Sequence, residues 1–331
     1  MTYLRRRFFT AMGFLVVVVS TASVQAQSVE QLQSALDDGN FTVVEQWLKE
    51  QGKTRLSPEQ RYIKGQYLLR TDEPKQALED LEAAAKAFPE NEDIWLSVAE
   101  AAGDAAGRAG LMSAGGLAKT ARRALDHVVE LNPQNLDARE GLIQFHTQAP
   151  WVMGGRTKEA YRQAEAIGKI DPVRGLLSKA QIDLSEGEAE AAESTFRSIL
   201  AQDPTNEGAG IGLANVLQGK KQWRESIDVL SPLAQSEPPN LIAVYQIGRT
   251  GALSGEFLDT AEASMRRYLA LAEGKAKVDR PIPLAPAWWR LGMVLQHQNK
   301  LADARAAYQQ ALDLDPDNSE VKKALKSLPK G

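Results

Sequence analysis

One short turn, repeated along the chain, constrains the fold more than any other feature of the sequence. It reads Phe88-Pro89-Glu90-Asn91, Asn132-Pro133-Gln134-Asn135, Asp203-Pro204-Thr205-Asn206, Glu237-Pro238-Pro239-Asn240 and Asp315-Pro316-Asp317-Asn318. Asp171-Pro172 is a further copy without the asparagine. Proline cannot donate its N–H and clashes with the preceding turn, so each copy is expected to end a helix. The asparagine two residues later can cap the next helix by accepting from its free N–H groups. The successive prolines are 44, 39, 32, 34 and 78 residues apart. These spacings group around 34 residues, with additions in some copies and one turn skipped before the last.

The segments between the turns are filled with Ala, Leu, Glu, Gln, Lys and Arg, the strong helix formers. Alternating β-branched runs are missing after residue 27, so no strand is expected. Hydrophobic residues make up 43% of the 331 and charged residues 25%. That balance excludes a disordered tail and a polytopic membrane protein. A fixed period of this length, holding two helices per unit, is the mark of a repeat array.

The residues inside the period resemble the tetratricopeptide repeat, whose pattern is Trp-x2-Leu-Gly-x2-Tyr on a first helix, then Ala-x3-Phe-x2-Ala on a second, then Pro. The unit at 285–318 supplies Trp288, Leu291, Gly292 and Leu295, then Ala304, Tyr308, Ala311 and Pro316. The unit at 58–91 supplies Gly65, Leu68, Ala77, Leu81, Ala84 and Pro89. The unit at 207–240 has Leu213, Ala214, Leu217, Leu230, Leu233 and Pro238, with Ser226 in an alanine slot. The resemblance implies an all-α, right-handed solenoid of about eight helix-turn-helix hairpins around a concave groove. Residues 27–57 would form an atypical capping hairpin, 58–318 the array and 319–331 a C-terminal cap and tail. Insertions are expected near 103–116, 148–155 and 273–284. Small residues (Gly65, Ala99, Gly248, Gly292) should sit where paired helices cross. Large ones (Trp95, Phe196, Trp288, Tyr308) should fill the gaps between hairpins.

Residues 1–26 read as an address. Arg5-Arg6-Arg7 is a positive start, Phe8 to Val19 is mostly apolar, and Val24-Gln25-Ala26 resembles a signal-peptidase site. The apolar run is shorter than the roughly 20 residues that a spanning helix needs. Export to the periplasm or medium with cleavage after Ala26 is expected. The Sec route is favoured over the twin-arginine route, because Leu4 stands where Ser or Thr usually precedes the arginines. No stable membrane anchor would then remain. Removal of three arginines and no carboxylates takes the net charge from −4 to −7.

The chemistry of the remaining residues is sparse. There are no cysteines and three histidines, His127, His146 and His297, none near another. Disulfides, thiolate metal sites and cysteine nucleophiles are excluded. No His-Glu-x-x-His or Gly-x-Ser-x-Gly motif occurs. Asp313, Asp315 and Asp317 lack the glycine and the bidentate glutamate of a calcium loop. Gly110 to Thr120 places Lys119 too late for a phosphate loop. Gly208-x-Gly210-x-Gly212 has no strand before it, which dinucleotide binding requires. No catalytic residue, metal or cofactor is therefore expected, and without a basic surplus no nucleic-acid partner.

What the resemblance does imply is a binding groove lined by first helices. Its residues would be Tyr62, Gln66 and Leu69; Leu96 and Glu100; Glu140 and Gln144; Ile211, Asn215 and Gln218; Tyr245 and Arg249; and Trp289, Met293 and Gln296. Aromatics, Met and Arg are enriched at binding hot spots, which singles out Asn215, Tyr245, Arg249, Trp289 and Met293. The alternative for each is packing against the neighbouring first helix. Trp151 and Met153 in the 148–155 insertion form a second candidate contact, with the apolar trio Trp151, Val152 and Met153 more readily tucked over the hairpin than exposed. The expected function is non-enzymatic: a scaffold or assembly factor in the cell envelope that binds a protein or extended peptide. A holding chaperone for exported proteins is the alternative, and an enzyme with a site in the inserted loops a more distant one.

Overall fold

The structure is a computed structural model that describes residues 28–52, 54–275 and 281–329. The expected signal segment 1–26 and part of the 273–284 insertion lie outside these residues. Seventeen α-helices and one 3-10 turn make up the described chain, with no strand among the described residues. They form eight consecutive hairpins: α1 (Val29–Asp37) with α2 (Phe41–Gln51), α3 (Pro58–Arg70) with α4 (Pro74–Ala87), α5 (Glu92–Arg108) with α6 (Leu111–Leu131), and α7 (Leu136–Gln148) with α8 (Thr157–Gly168). The series continues with α9 (Pro172–Ser185) and α10 (Ala189–Gln202), α11 (Glu207–Gly219) and α12 (Trp223–Ala234), α13 (Leu241–Ser254) and α14 (Leu258–Glu273), and α15 (Leu284–His297) and α16 (Leu301–Leu314). A single helix, α17 (Ser319–Ser327), follows.

The turn chemistry explains the boundaries. Asn91, Asn135, Asn206, Asn240 and Asn318 each cap the next helix, their side chains accepting from the backbone N–H three residues on at 2.9–3.1 Å. The copy at Asp171-Pro172 works differently. Here Asp171 is itself the cap, accepting from Arg174 N at 2.9 Å, and Pro172 opens α9 instead of closing α8.

Each second helix is packed between its own first helix and the first helix of the next hairpin. First helices also touch their counterparts, α1 with α3, α3 with α5, α7 with α9, α11 with α13 and α13 with α15, while second helices make no comparable contact with one another. The first helices therefore form the inner wall of a curved stack, and the buried side chains form successive clusters along it. Where helices cross, a side chain has no room. A Cβ at Gly65 would lie 2.5 Å from Leu81 and one at Gly292 2.5 Å from the Tyr308 ring, both on the partner helix of the same hairpin. Gly212 faces Phe196 of the preceding hairpin at 2.4 Å. The glycines at 208–212 are thus part of a close-packed helix.

The extra residues at 103–116 do not make a loop. They lengthen α5 to 17 and α6 to 21 residues, because alanines at 101, 102, 105, 121 and 124 bury a continuous apolar seam between them. This hairpin stands taller than its neighbours and provides a wall for a cavity described below.

Candidate functional site

The inner wall carries the sequence-derived site residues in two zones. In the C-terminal zone, α11, α13 and α15 lie side by side. Gln218 is at its centre and is 5% exposed. Its amide donates to Thr250 Oγ1 at 2.9 Å and Ser226 Oγ at 3.3 Å, and its carbonyl accepts from Arg249. Arg249 also donates to Gln246 Oε1 at 3.2 Å, and Gln246 donates to Asn215 Oδ1 at 3.2 Å. A ladder of amides thus ties the first helices α11 and α13 together, with Ser226 of α12 at its edge. Gln218 lies within this ladder and not on the open groove surface. Ser226, in the slot where alanine was expected, closes the network by donating to Ala214 O at 3.3 Å.

Arg249 and Arg290 form the charged part of this zone. Neither has a carboxylate partner among the described residues. Burial, and then the like charge of Arg290, draws the Arg249 guanidinium below its usual value. Arg290 lies 4.3 Å above the Trp289 ring centroid and donates to Met293 Sδ at 3.1 Å, while its buried Nε has no partner. Trp289 and Met293 are half-buried and pack against the C-terminal core. Asn215 is exposed.

Tyr245 departs from the expectation. It is 6% exposed and stacks edge-on against Tyr268, with ring centroids 5.5 Å apart. It belongs to the core between α13 and α14, so it cannot meet a partner in the groove. The residue type and slot were those of a contact residue; the approach of α14 covers it.

The N-terminal zone holds three cavities along the inner wall. One of about 760 Å³ lies between α5, α6 and α7, lined by Leu96, Ala118, Leu125, Phe145 and Met153 with Glu100 and Asp104. It shares Gln144 and Gln148 with a second, of about 690 Å³, between α7 and α9. A third, of about 570 Å³, lies between α1, α3 and α5. Arg174 braces α9 to α7 through Glu140 at 2.5 Å and Asp137 at 2.6 Å. Partial desolvation inside the cavity, and then Asp104, push the Glu100 carboxyl above the usual range.

The 148–155 insertion is a knuckle, turned by the 3-10 segment Trp151–Met153, with a split character. Trp151 and Val152 are 74% and 64% exposed, so they are not tucked over the hairpin. Only Met153 turns inward, toward α6. Arg156 donates to Trp151 O at 2.7 Å and Gly155 O at 2.6 Å, which fixes the turn. The turn leaves two apolar side chains outside because its backbone faces inward: a Cβ at Gly155 would lie 1.8 Å from Ala149 O.

Tetratricopeptide-repeat models match residues 62–109, 183–247 and 285–318. Among curated proteins the chain is similar to cellulose synthase 1 operon protein C of Komagataeibacter xylinus, at 25% identity over 221 residues. The match covers 63% of this chain but spans only 16% of that protein's length. Among solved structures, the human IFIT1 dimer with PPP-AAAA shares the fold at 15% identity and a TM-score of 0.52, covering 89% of this chain and 70% of that one. A tetratricopeptide repeat protein from Parabacteroides merdae aligns at 16% identity and a TM-score of 0.49, covering 81% and 97%. The repeated turns, the small-residue crossings, the stacked hairpins and the three matched segments agree, and the chain belongs to the tetratricopeptide-repeat family.

Proposed function

We propose that the chain is a non-enzymatic scaffold that holds a protein or extended peptide along its inner wall, in the cell envelope. The observation that carries this reading is the zone around Arg290: two arginines without carboxylate partners beside a half-buried Trp and Met, with Arg249 held in place by the amide ladder. A preorganised surface of that composition suits polypeptide recognition. Amides along the wall can bond a peptide backbone without reading its sequence. The envelope location rests on the export-type segment at 1–26, and in the described residues no helix is long and apolar enough to cross a membrane. A net charge of −4 argues for a protein partner over nucleic acid.

Photo-cross-linking in intact cells from Asn215 and Met293 tests the reading. Discrete polypeptide adducts are expected, diminished in Trp289→Ala. No adduct, or adducts unchanged in a Trp289→Ala protein that melts like the parent, overturns it.

A further inference from the structure

We infer that the N-terminal stretch of the inner wall, from α1 to α7, takes a partner segment in which lysine or arginine stands beside apolar side chains. The inference rests on the scaffold reading and specifies the chemistry of what is held.

The cavity between α5, α6 and α7 has an apolar floor that includes Leu96, Leu125, Phe145 and Met153. Its charges do not balance. Arg108 is paired with Asp72, and Arg174 with Asp137 and Glu140. Glu100 and Asp104 remain without hydrogen bond or ion pair among the described residues, and both are open to solvent. Desolvation, and then the like charge of Asp104, raise Glu100, so a cation placed between the two carboxylates would relieve a repulsion already present.

The cavity between α1, α3 and α5 is also apolar and acidic, although there Asp37 is paired with Arg70 at 3.7 Å and Glu59 accepts from Ser57. Val29, Tyr62 and Ile94 line it together with Glu30, Asp37 and Glu59. The unpaired arginines of the wall, by contrast, are at α13 and α15. Positive and negative groups are thus separated along one surface, and complementarity assigns a basic segment to the N-terminal half. A polypeptide fits better than a small molecule because the central cavity runs on through Gln144 and Gln148 into its neighbour, which makes a trough across three first helices.

Three labelled twelve-residue peptides test this, each with the same Leu and Phe positions and with Lys, Gln or Glu at the others. Fluorescence anisotropy is read on the full-length exported protein. The Lys peptide should bind best and weaken with salt. Glu100→Gln with Asp104→Asn should weaken it about fivefold, from two exposed ion pairs of roughly 0.5 kcal/mol each, and leave the Gln peptide unchanged. Glu79→Gln with Asp228→Asn removes the same charge from second helices and should have no effect. Equal binding of Lys and Gln peptides overturns the charge inference while leaving the scaffold reading to its cross-linking test. Equal loss in both double variants, or no binding by any peptide, also overturns it.

Discussion

Gly168 at the end of α8 and Gly175 in the first turns of α9 meet backbone to backbone. A Cβ on Gly175 would lie 2.4 Å from Gly168 Cα and 3.1 Å from Ala164 O. No side chain can rotate away to make room. Gly175→Ala should therefore force α8 and α9 apart and cost about 1–3 kcal/mol. The reverse substitution is mild, since a Cβ at Gly168 meets nothing nearer than 3.8 Å. Thermal melts by circular dichroism should show a lowered midpoint for Gly175→Ala and a nearly unchanged one for Gly168→Ala.

Tyr245→Ala should act on stability and not on partner capture. Removing a core aromatic costs about 3–5 kcal/mol, and the ring that stacks on Tyr268 would leave a cavity between α13 and α14. Urea titration should show a reduced midpoint, with Tyr245→Phe close to the parent.

The amide ladder should behave as a unit. Gln218→Ala strips Thr250 and Arg249 of a partner in a buried site. Leaving such groups unsatisfied costs about 1–3 kcal/mol. Gln218→Ala combined with Thr250→Ala should cost less than the two single changes added together, as a double-mutant cycle would show.

Glu262 on α14 joins Lys300, 2.7 Å away at the start of α16, to Arg266 at 2.9 Å. Its side chain is 16% exposed. The hydrogen bond from Lys300 leads the effects that hold its carboxyl below the ordinary 4.5. A lowered folded value means the contribution is complete above pH 4.5 and fades as pH falls through the folded value. Melts of the parent and Glu262→Gln should differ at pH 7 and converge in more acidic buffer.

The knuckle at 151–155 separates fold from surface. Trp151→Ala should move the melting point by no more than about 0.5 kcal/mol equivalent, because the side chain is exposed. Gly155→Ala, one turn away, should be severe because of the Ala149 carbonyl. Equal effects of the two would contradict the geometry.

How far the sequence spoke for the fold depended on the kind of contact. Asparagine caps and glycine crossings such as Gly292 against Tyr308 are local or recur at a fixed period, so one chain displays them several times. The lengthening of α5 and α6 was hidden because Gly103, Gly107, Gly110, Gly115 and Gly116 suggest a loop, while the alanine seam that makes them helical is visible only once the two helices face each other. Site residues were less legible. Arg249, Trp289 and Met293 stand on the inner wall, but the same slot pattern placed Tyr245 there, and burial by α14 is a long-range effect. Glu100 occupied a groove slot by pattern, yet its significance came from the missing counter-ion, which depends on where Arg108 and Arg174 spend their charges.

The core of this molecule is strung out as successive clusters, one handing over to the next, instead of being gathered at a centre. Damage should therefore stay where it occurs. A lesion near the last hairpin can loosen the arginine-bearing end while the acidic end keeps its shape, so a bound partner would lose one handhold before it lost both.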